Sequence, residues 1–158
     1  MDGPNVNLSF FKKLQEHRTE YNLPSLLDLG TCGLHIAHRA FQVGAKSTDW
    51  NLDQYLLKEY KLFKDSPARR EDFVTYTGST VFPSKFCNHR WLENLDVASK
   101  SLMLIPNIQE YCTQAKLRKT EPQKHEDYNL VQEVAISDNL LKAKHLFWIT
   151  IARDFQPF

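Results

Sequence analysis

The chain has 158 residues, of which 42% are hydrophobic and 12% aromatic, so it has enough apolar material for a core and is not a disordered chain. Its 20 basic and 19 acidic residues leave a net charge of +1, which excludes a whole-molecule attraction to nucleic acid or to anionic membranes. No apolar run reaches the roughly 18 residues of a membrane-spanning helix, and the N-terminus lacks the pattern of a signal peptide. We therefore expect a soluble, intracellular domain whose three widely spaced cysteines are reduced.

The first predicted element is a helix that follows a Gly-Pro turn and runs to about Arg18. Its apolar face is formed by Leu8, Phe11 and Leu14. Asp2 lies in the turn before this helix, where a carboxylate can be held rigidly and directed at a metal ion. The alternative interpretation of Asp2 is a solvated acid near the terminus.

The stretch over residues 26–44 changes the spacing of its apolar residues halfway. The rest of the chain is organised around this stretch. A short leucine run ends at Gly30 and predicts a strand and a turn, whereas Leu34, His38 and Phe41 recur at helical spacing. Cys32 and His35 form a C-x-x-H pattern at this junction. His38, one turn further on, is explained by its helix position as a core or hydrogen-bonded histidine.

The rest of the chain predicts further helices. One helix covers about residues 52–63 and follows candidate capping residues at 47–49. Ser66 followed by Pro67 predicts the start of the next helix, which ends before Gly78. A long helical pattern begins at Arg90 and is expected to kink or restart at Pro106. The last helix follows residues 137–139, and its wide apolar arc predicts burial on several sides. In all, about six helices accompany one strand.

Three constellations could carry chemistry. Cys32, His35, Cys87 and His89 include the ligand types of a zinc site, but the C-x-H spacing of the second pair disfavours it. Nucleophilic catalysis by Cys32 lacks an identifiable orienting group. His89, Arg90 and Trp91 suggest nucleic-acid contact, since an indole can stack on an unpaired base and a guanidinium can contact a phosphate. The alternative for Trp91 is a tryptophan packed in the core at the start of a helix.

Four motifs occur in a fixed order along the chain. They are DGPNVN at 2–7, GTCGLHIAHRAF at 30–41, DSPARRED at 65–72 and FPSKFCNHRWLEN at 82–94. Together they resemble the hAT superfamily of transposases, in a domesticated or recently active branch. The resemblance implies DNA cleavage by a ribonuclease-H-like core, in which two aspartates and one glutamate hold two divalent ions, magnesium or manganese. It also implies a large helical insertion in that core.

The resemblance assigns roles to matching residues. Asp2 matches the second catalytic aspartate, a metal ligand, and Cys32 and His35 match a C-x-x-H motif beside the active site. Arg90 and Trp91 match an Arg-Trp pair of the insertion, where the tryptophan stabilises DNA unpaired at the cleavage site. The first aspartate would lie upstream of this chain and the final glutamate beyond it, so only one of the three carboxylates has a counterpart here.

The resemblance therefore predicts a mostly α fold, with an incomplete ribonuclease-H-like core over residues 1–46 and part of an α-helical insertion over 47–158. We expect a transposase-derived fragment that is inactive by itself, whose complete form binds DNA in the nucleus. The basic cluster at 116–124 gives weak support to that location. The first alternative is a host-adopted interaction module with a protein partner or a second copy, without membrane contact. The second is the product of a decayed transposable element.

Overall fold

The computed structural model describes residues 5–27, 33–122 and 125–155. All regular secondary structure in these ranges is helical, and the predicted mostly α fold is confirmed. The helices are α1 Asn5–Glu20, α2 Gly33–Ser47, α3 Leu52–Lys64, α4 Pro67–Thr77, α5 Leu95–Arg118, α6 Glu126–Ser137 and α7 Leu141–Phe155, with a 3₁₀ helix at Trp91–Asn94. None of these helices is long and apolar enough to cross a membrane.

Helix α5 is the centre of the packing. It contacts α3, α4, α6 and α7, and its buried side chains include Ile105, Ile108 and Tyr111. These residues recur at three-residue intervals, so they lie on one broad face that the other helices cover. The core is therefore arranged around a single 24-residue helix.

Aromatic side chains fill the core in two groups. The first lies between α3, α4 and α5 and is formed by Phe63, Phe73, Tyr76, Phe82 and Tyr111, whose neighbouring rings lie 5.0 to 6.2 Å apart between centroids. The second, which we call the tryptophan cluster, is formed by Phe41, Phe86, Trp91 and Trp148. Tilted and edge-to-face pairs predominate, as the ring quadrupoles favour. The tryptophan cluster joins α2 and α7 to the segment before α5.

Several predicted element boundaries are confirmed. Ser66 caps α4, since its hydroxyl accepts a hydrogen bond from the backbone N–H of Arg69, and Pro67 occupies the first helical position. Gly78 ends α4 in the left-handed conformation with φ of 69°. Asn51, rather than residues 47–49, precedes α3.

Other elements differ from the sequence prediction. Residues 26 and 27 have no regular structure and the rest of the predicted strand lies outside the described residues, so nothing here supports the ribonuclease-H-like core. Helix α5 runs through Pro106, so the expected restart is wrong, whereas the alternative of a kink stays a prediction. Helix α6 is not among the predicted elements.

The burial of α7 is also narrower than predicted. One face is buried through Leu141, Trp148 and Ile149, but Leu146 and Phe147 remain about half exposed. Helix α7 is therefore amphipathic in this fold and leaves apolar side chains on its outer face.

The two glycines at positions 44 and 78 provide a matched test of backbone conformation. Gly78→Ala should lower the free energy of unfolding by about 1 kcal/mol, because an L side chain is strained at positive φ. Gly44→Ala, inside α2, should raise it by about 0.5 kcal/mol through helix propensity. A Cβ at either position meets no atom within 4 Å, so sterics do not complicate the comparison. Urea unfolding measures both changes in the free energy of unfolding. If both substitutions changed it in the same direction, the helix boundary at Gly78 would be contradicted.

Candidate functional site

The loop from Phe86 to Asn94 is held in shape by one buried amide side chain. Asn94 is fully buried, and its Oδ1 accepts a 2.6 Å hydrogen bond from the backbone N–H of Cys87. Its Nδ2 donates to the carbonyl oxygens of Cys87, Arg90 and Trp91, at 2.9, 3.2 and 3.2 Å. An amide side chain can replace a backbone partner in this way because it has both a donor and an acceptor. We call residues 86–94 the Asn94 loop.

Trp91 supports this loop from inside. Its indole stacks on Trp148 of α7, with centroids 5.4 Å apart and an interplanar angle of 20°, and meets the edge of Phe86 at 5.4 Å. Its Nε1–H donates to the carbonyl of Asn88 at 3.0 Å. Only 3% of Trp91 is exposed. As placed here, Trp91 anchors the loop to α7 and offers no open face to a nucleic-acid base.

His38 joins α2 to the same loop. Its Nδ1 accepts a hydrogen bond of 3.1 Å from the backbone N–H of Leu92, in the 3₁₀ helix. Burial lowers the pKa of His38, Arg90 and His35 lower it further, and Glu93 acts in the opposite direction. A neutral imidazole is what an acceptor at Nδ1 requires. The prediction of a hydrogen-bonded core histidine is confirmed.

Two arginines of α4 contact α3 and the segment that precedes the Asn94 loop. The guanidinium of Arg70 lies over the ring of Phe82 at 5.1 Å, and its Nε–H donates to the carbonyl of Phe63 at 2.8 Å. Arg69 likewise donates to the carbonyl of Leu62 at 2.6 Å. Arg69 and Arg70 therefore donate hydrogen bonds to two backbone carbonyls in the last turn of α3.

Basic side chains lie on the outside of the Asn94 loop. His89 and Arg90 are exposed, and Arg90 forms an ion pair with Glu93 at 3.2 Å between Nη1 and Oε1. Lys46 of α2 lies 5.8 Å from the centroid of the Trp91 ring. The loop thus combines a buried support with exposed basic side chains at its surface.

The remaining predicted site residues do not form a common site in the described part of the chain. Asp2 and Cys32 lie outside the described residues, and His35 is exposed on α2. No group of three or more histidine, cysteine or acidic side chains that could hold a metal ion occurs within residues 5–27, 33–122 and 125–155. Cys87 and Cys112 are free thiols. The roles that the resemblance gives to Asp2, Cys32 and His35 stay predictions.

A groove lies between α5 and α6. It has a volume of about 560 Å³ and is lined by residues of both helices, including Cys112, Asn129 and Glu133. Burial raises the pKa of the Cys112 thiol to about 12, so it stays protonated and is a poor nucleophile.

Sequence reasoning missed the role of Asn94. Asn94 is the last residue of the fourth motif, and a short amide just before a helix is a signal for a side chain that hydrogen-bonds nearby backbone groups. Comparisons of the chain with protein-family models, with curated proteins and with solved structures give no match.

Replacing Asn94 tests whether this amide holds the loop. Asn94→Ala should lower the free energy of unfolding by roughly 2 kcal/mol, because it leaves the partly buried backbone groups of Cys87 and the buried carbonyl of Trp91 without this partner. The control Asn88→Ala, at an exposed position of the same loop, should change it by less than about 0.5 kcal/mol. Chemical unfolding followed by circular dichroism measures both. Equal effects of the two variants would show that Asn94 is not the organising residue.

Proposed function

We propose that this chain is the helical part of a hAT-transposase-like protein, in which it presents the Asn94 loop to DNA and does not cleave DNA by itself. In a complete protein with the other two carboxylates, metal-dependent strand cleavage and transfer would follow from the same resemblance, with Asp2 as a ligand of magnesium or manganese. The ribonuclease-H-like core and a nuclear location belong to this proposal.

The observation that carries the proposal is the contact between motifs that lie far apart in sequence. His38 of the second motif accepts a hydrogen bond from Leu92 of the fourth, and Arg70 of the third lies over Phe82 of the fourth. Chance similarity to a family gives no reason for the matching stretches to be neighbours in space. Their contact supports the view that the three motifs specify one structural unit around the Asn94 loop.

The loop has the chemistry of a backbone-binding element. Exposed His89 and Arg90 can contact phosphate oxygens, and Lys46 lies beside the same tryptophan that anchors the loop. The net charge of +1 means that binding depends on this local patch and is weak. Stacking of a base on Trp91, which the resemblance implies, requires the indole to leave the tryptophan cluster.

DNA binding and its dependence on Arg90 test the proposal. Fluorescence anisotropy with a labelled duplex that carries a single-stranded overhang should show binding that weakens steeply as salt rises. Arg90→Ala should weaken binding and reduce the slope of log K against log salt by about 1, because one phosphate contact is lost. The control Arg153→Ala, at an exposed position on α7, should leave binding unchanged. Equal behaviour of both variants, or no binding at low salt, would contradict the proposal.

A nicking assay tests the second half of the proposal. Purified protein incubated with manganese and supercoiled DNA should give no nicked product, because two metal ions need more than the single carboxylate that Asp2 supplies. Reproducible nicking that Asp2→Asn abolishes would show that the chain holds a working metal site.

A protein-interaction or dimerisation module is the second candidate. Phe147 is 52% exposed and packs edge-to-face against Trp50 at 5.3 Å, with Leu146 exposed on the same helix and Leu140 exposed in the turn before it. Grouped apolar side chains of this kind are typical of interaction surfaces. Analytical ultracentrifugation at low and high salt separates the candidates, since an apolar interface hardly responds to salt whereas a phosphate contact does.

A further inference from the structure

A cavity lined entirely by charged and imidazole side chains lies beside the end of α3, the start of α4 and the start of α6. Its volume is about 310 Å³, roughly ten times the space that one water molecule takes up in the liquid, so it can hold an anion of several atoms. The lining residues are Lys61, Lys64, Asp65, Arg69, His125 and Asp127. Three permanent cations thus share one space with two carboxylates and one imidazole. We call it the α3–α6 cavity.

Arg69 provides a fixed donor group at this cavity. Its side chain is half-buried, and Nη1 donates a hydrogen bond of 2.6 Å to the carbonyl oxygen of Leu62. This hydrogen bond uses one of the five N–H groups of the guanidinium. The planar group is therefore held in place while it keeps donors that can bind two oxygens of one phosphate group together.

His125 brings a donor that does not depend on a positive charge. Its Nδ1 accepts a hydrogen bond of 3.4 Å from the backbone N–H of Tyr128 and thereby caps α6. A neutral imidazole whose Nδ1 is an acceptor carries its hydrogen on Nε2. Because His125 also lines the cavity, its ring supplies an N–H group for an oxygen ligand there.

The two carboxylates do not make the cavity a cation site. Asp127 is already paired, since its Oδ1 lies 2.6 Å from Nζ of Lys58 and only 18% and 21% of the two side chains are exposed. Asp65 is 81% exposed and lies 3.6 Å from Nζ of Lys64, so solvent weakens that ion pair. Among the described residues, Asp65, Asp127 and His125 belong to no group that could hold a metal ion. Positive charge therefore predominates at the cavity.

We propose that the α3–α6 cavity binds a phosphate group. Arg69 is the fixed donor, His125 adds a neutral N–H group, and the two lysines supply further positive charge. A phosphate group suits this set better than a carboxylate, because it carries more negative charge and more acceptor oxygens. A free pyrophosphate compound and a nucleic-acid backbone both present such oxygens. The cavity shares no residue with the Asn94 loop, so this inference does not rest on the function proposed for that loop.

Binding of inorganic pyrophosphate to the full chain tests the proposal. In proton–nitrogen correlation spectra at low salt, pyrophosphate should shift the amide resonances of Arg69 and His125 until they saturate. Acetate at equal ionic strength should not shift them. The affinity for pyrophosphate should fall as salt rises, because salt screens charges at an open site. Spectra without saturable shifts at these residues would overturn the proposal.

Variants that remove one positive charge each locate the binding site. Arg69→Gln should weaken pyrophosphate binding about tenfold or more, because charge-assisted hydrogen bonds are lost. Lys64→Gln should weaken it several-fold, and the control Lys142→Gln, at an exposed position on α7, should leave it unchanged. Lys64 is exposed and its ion pair with Asp65 contributes little stability, so this variant decides the matter even where Arg69→Gln does not fold. Equal affinities of the Lys64 and Lys142 variants would overturn the proposal.

A short DNA duplex added to the same samples identifies the source of the phosphate group. If the duplex shifts the cavity resonances and pyrophosphate competes with it, the ligand is a nucleic-acid backbone. If pyrophosphate alone shifts them, the ligand is a free phosphate compound. Either result supports a phosphate site. The DNA contact of the Asn94 loop is tested separately by Arg90→Ala, so failure of one proposal is distinguishable from failure of the other.

Discussion

The stacking of Trp91 on Trp148 connects the Asn94 loop to α7 in the helical body. An aromatic pair of this kind contributes about 1 kcal/mol beyond the burial of its area, and it also fixes the orientation of both rings. With Trp91 fixed, the hydrogen bonds of Asn94 can close the loop and His38 can cap the 3₁₀ helix. The backbone of the exposed Arg90 is thereby held in place by its neighbour Trp91, which cannot move without opening the core.

The sequence predicts local structure well where one residue type decides it. Ser66 and Pro67 start α4 and Gly78 ends it, because caps and backbone conformation depend on few neighbours. The burial of α7 could not be predicted, since a wide apolar arc does not tell which side chains find partners. Phe147 is exposed while Trp148, its neighbour, is buried. In the Asn94 loop, Arg90 and Trp91 can be singled out from the sequence. The role of Asn94 cannot, because it depends on hydrogen bonds to Cys87, seven residues earlier in an irregular segment.

Buried polar side chains of the core differ in how fully their hydrogen bonds are satisfied. At the Asn94 loop, every polar atom of Asn94 has a partner, so this amide strengthens one conformation. In contrast, Oε1 of Glu59 and the hydroxyl of Tyr55, both on α3, have no hydrogen-bond partner. Buried polar atoms without partners oppose folding, because they lose their hydrogen bonds to water and gain none in the protein. Asn94 therefore specifies the conformation of its loop more strongly than these two side chains specify the packing of α3.

His145 and Trp148 connect the core to the Asn94 loop through α7. They lie three residues apart on the buried face of that helix, His145 towards Ser101 and Trp148 towards Trp91. Residues at this spacing share a helix face. The face of α7 that contacts Ser101 in the core therefore also supports the indole that anchors the loop.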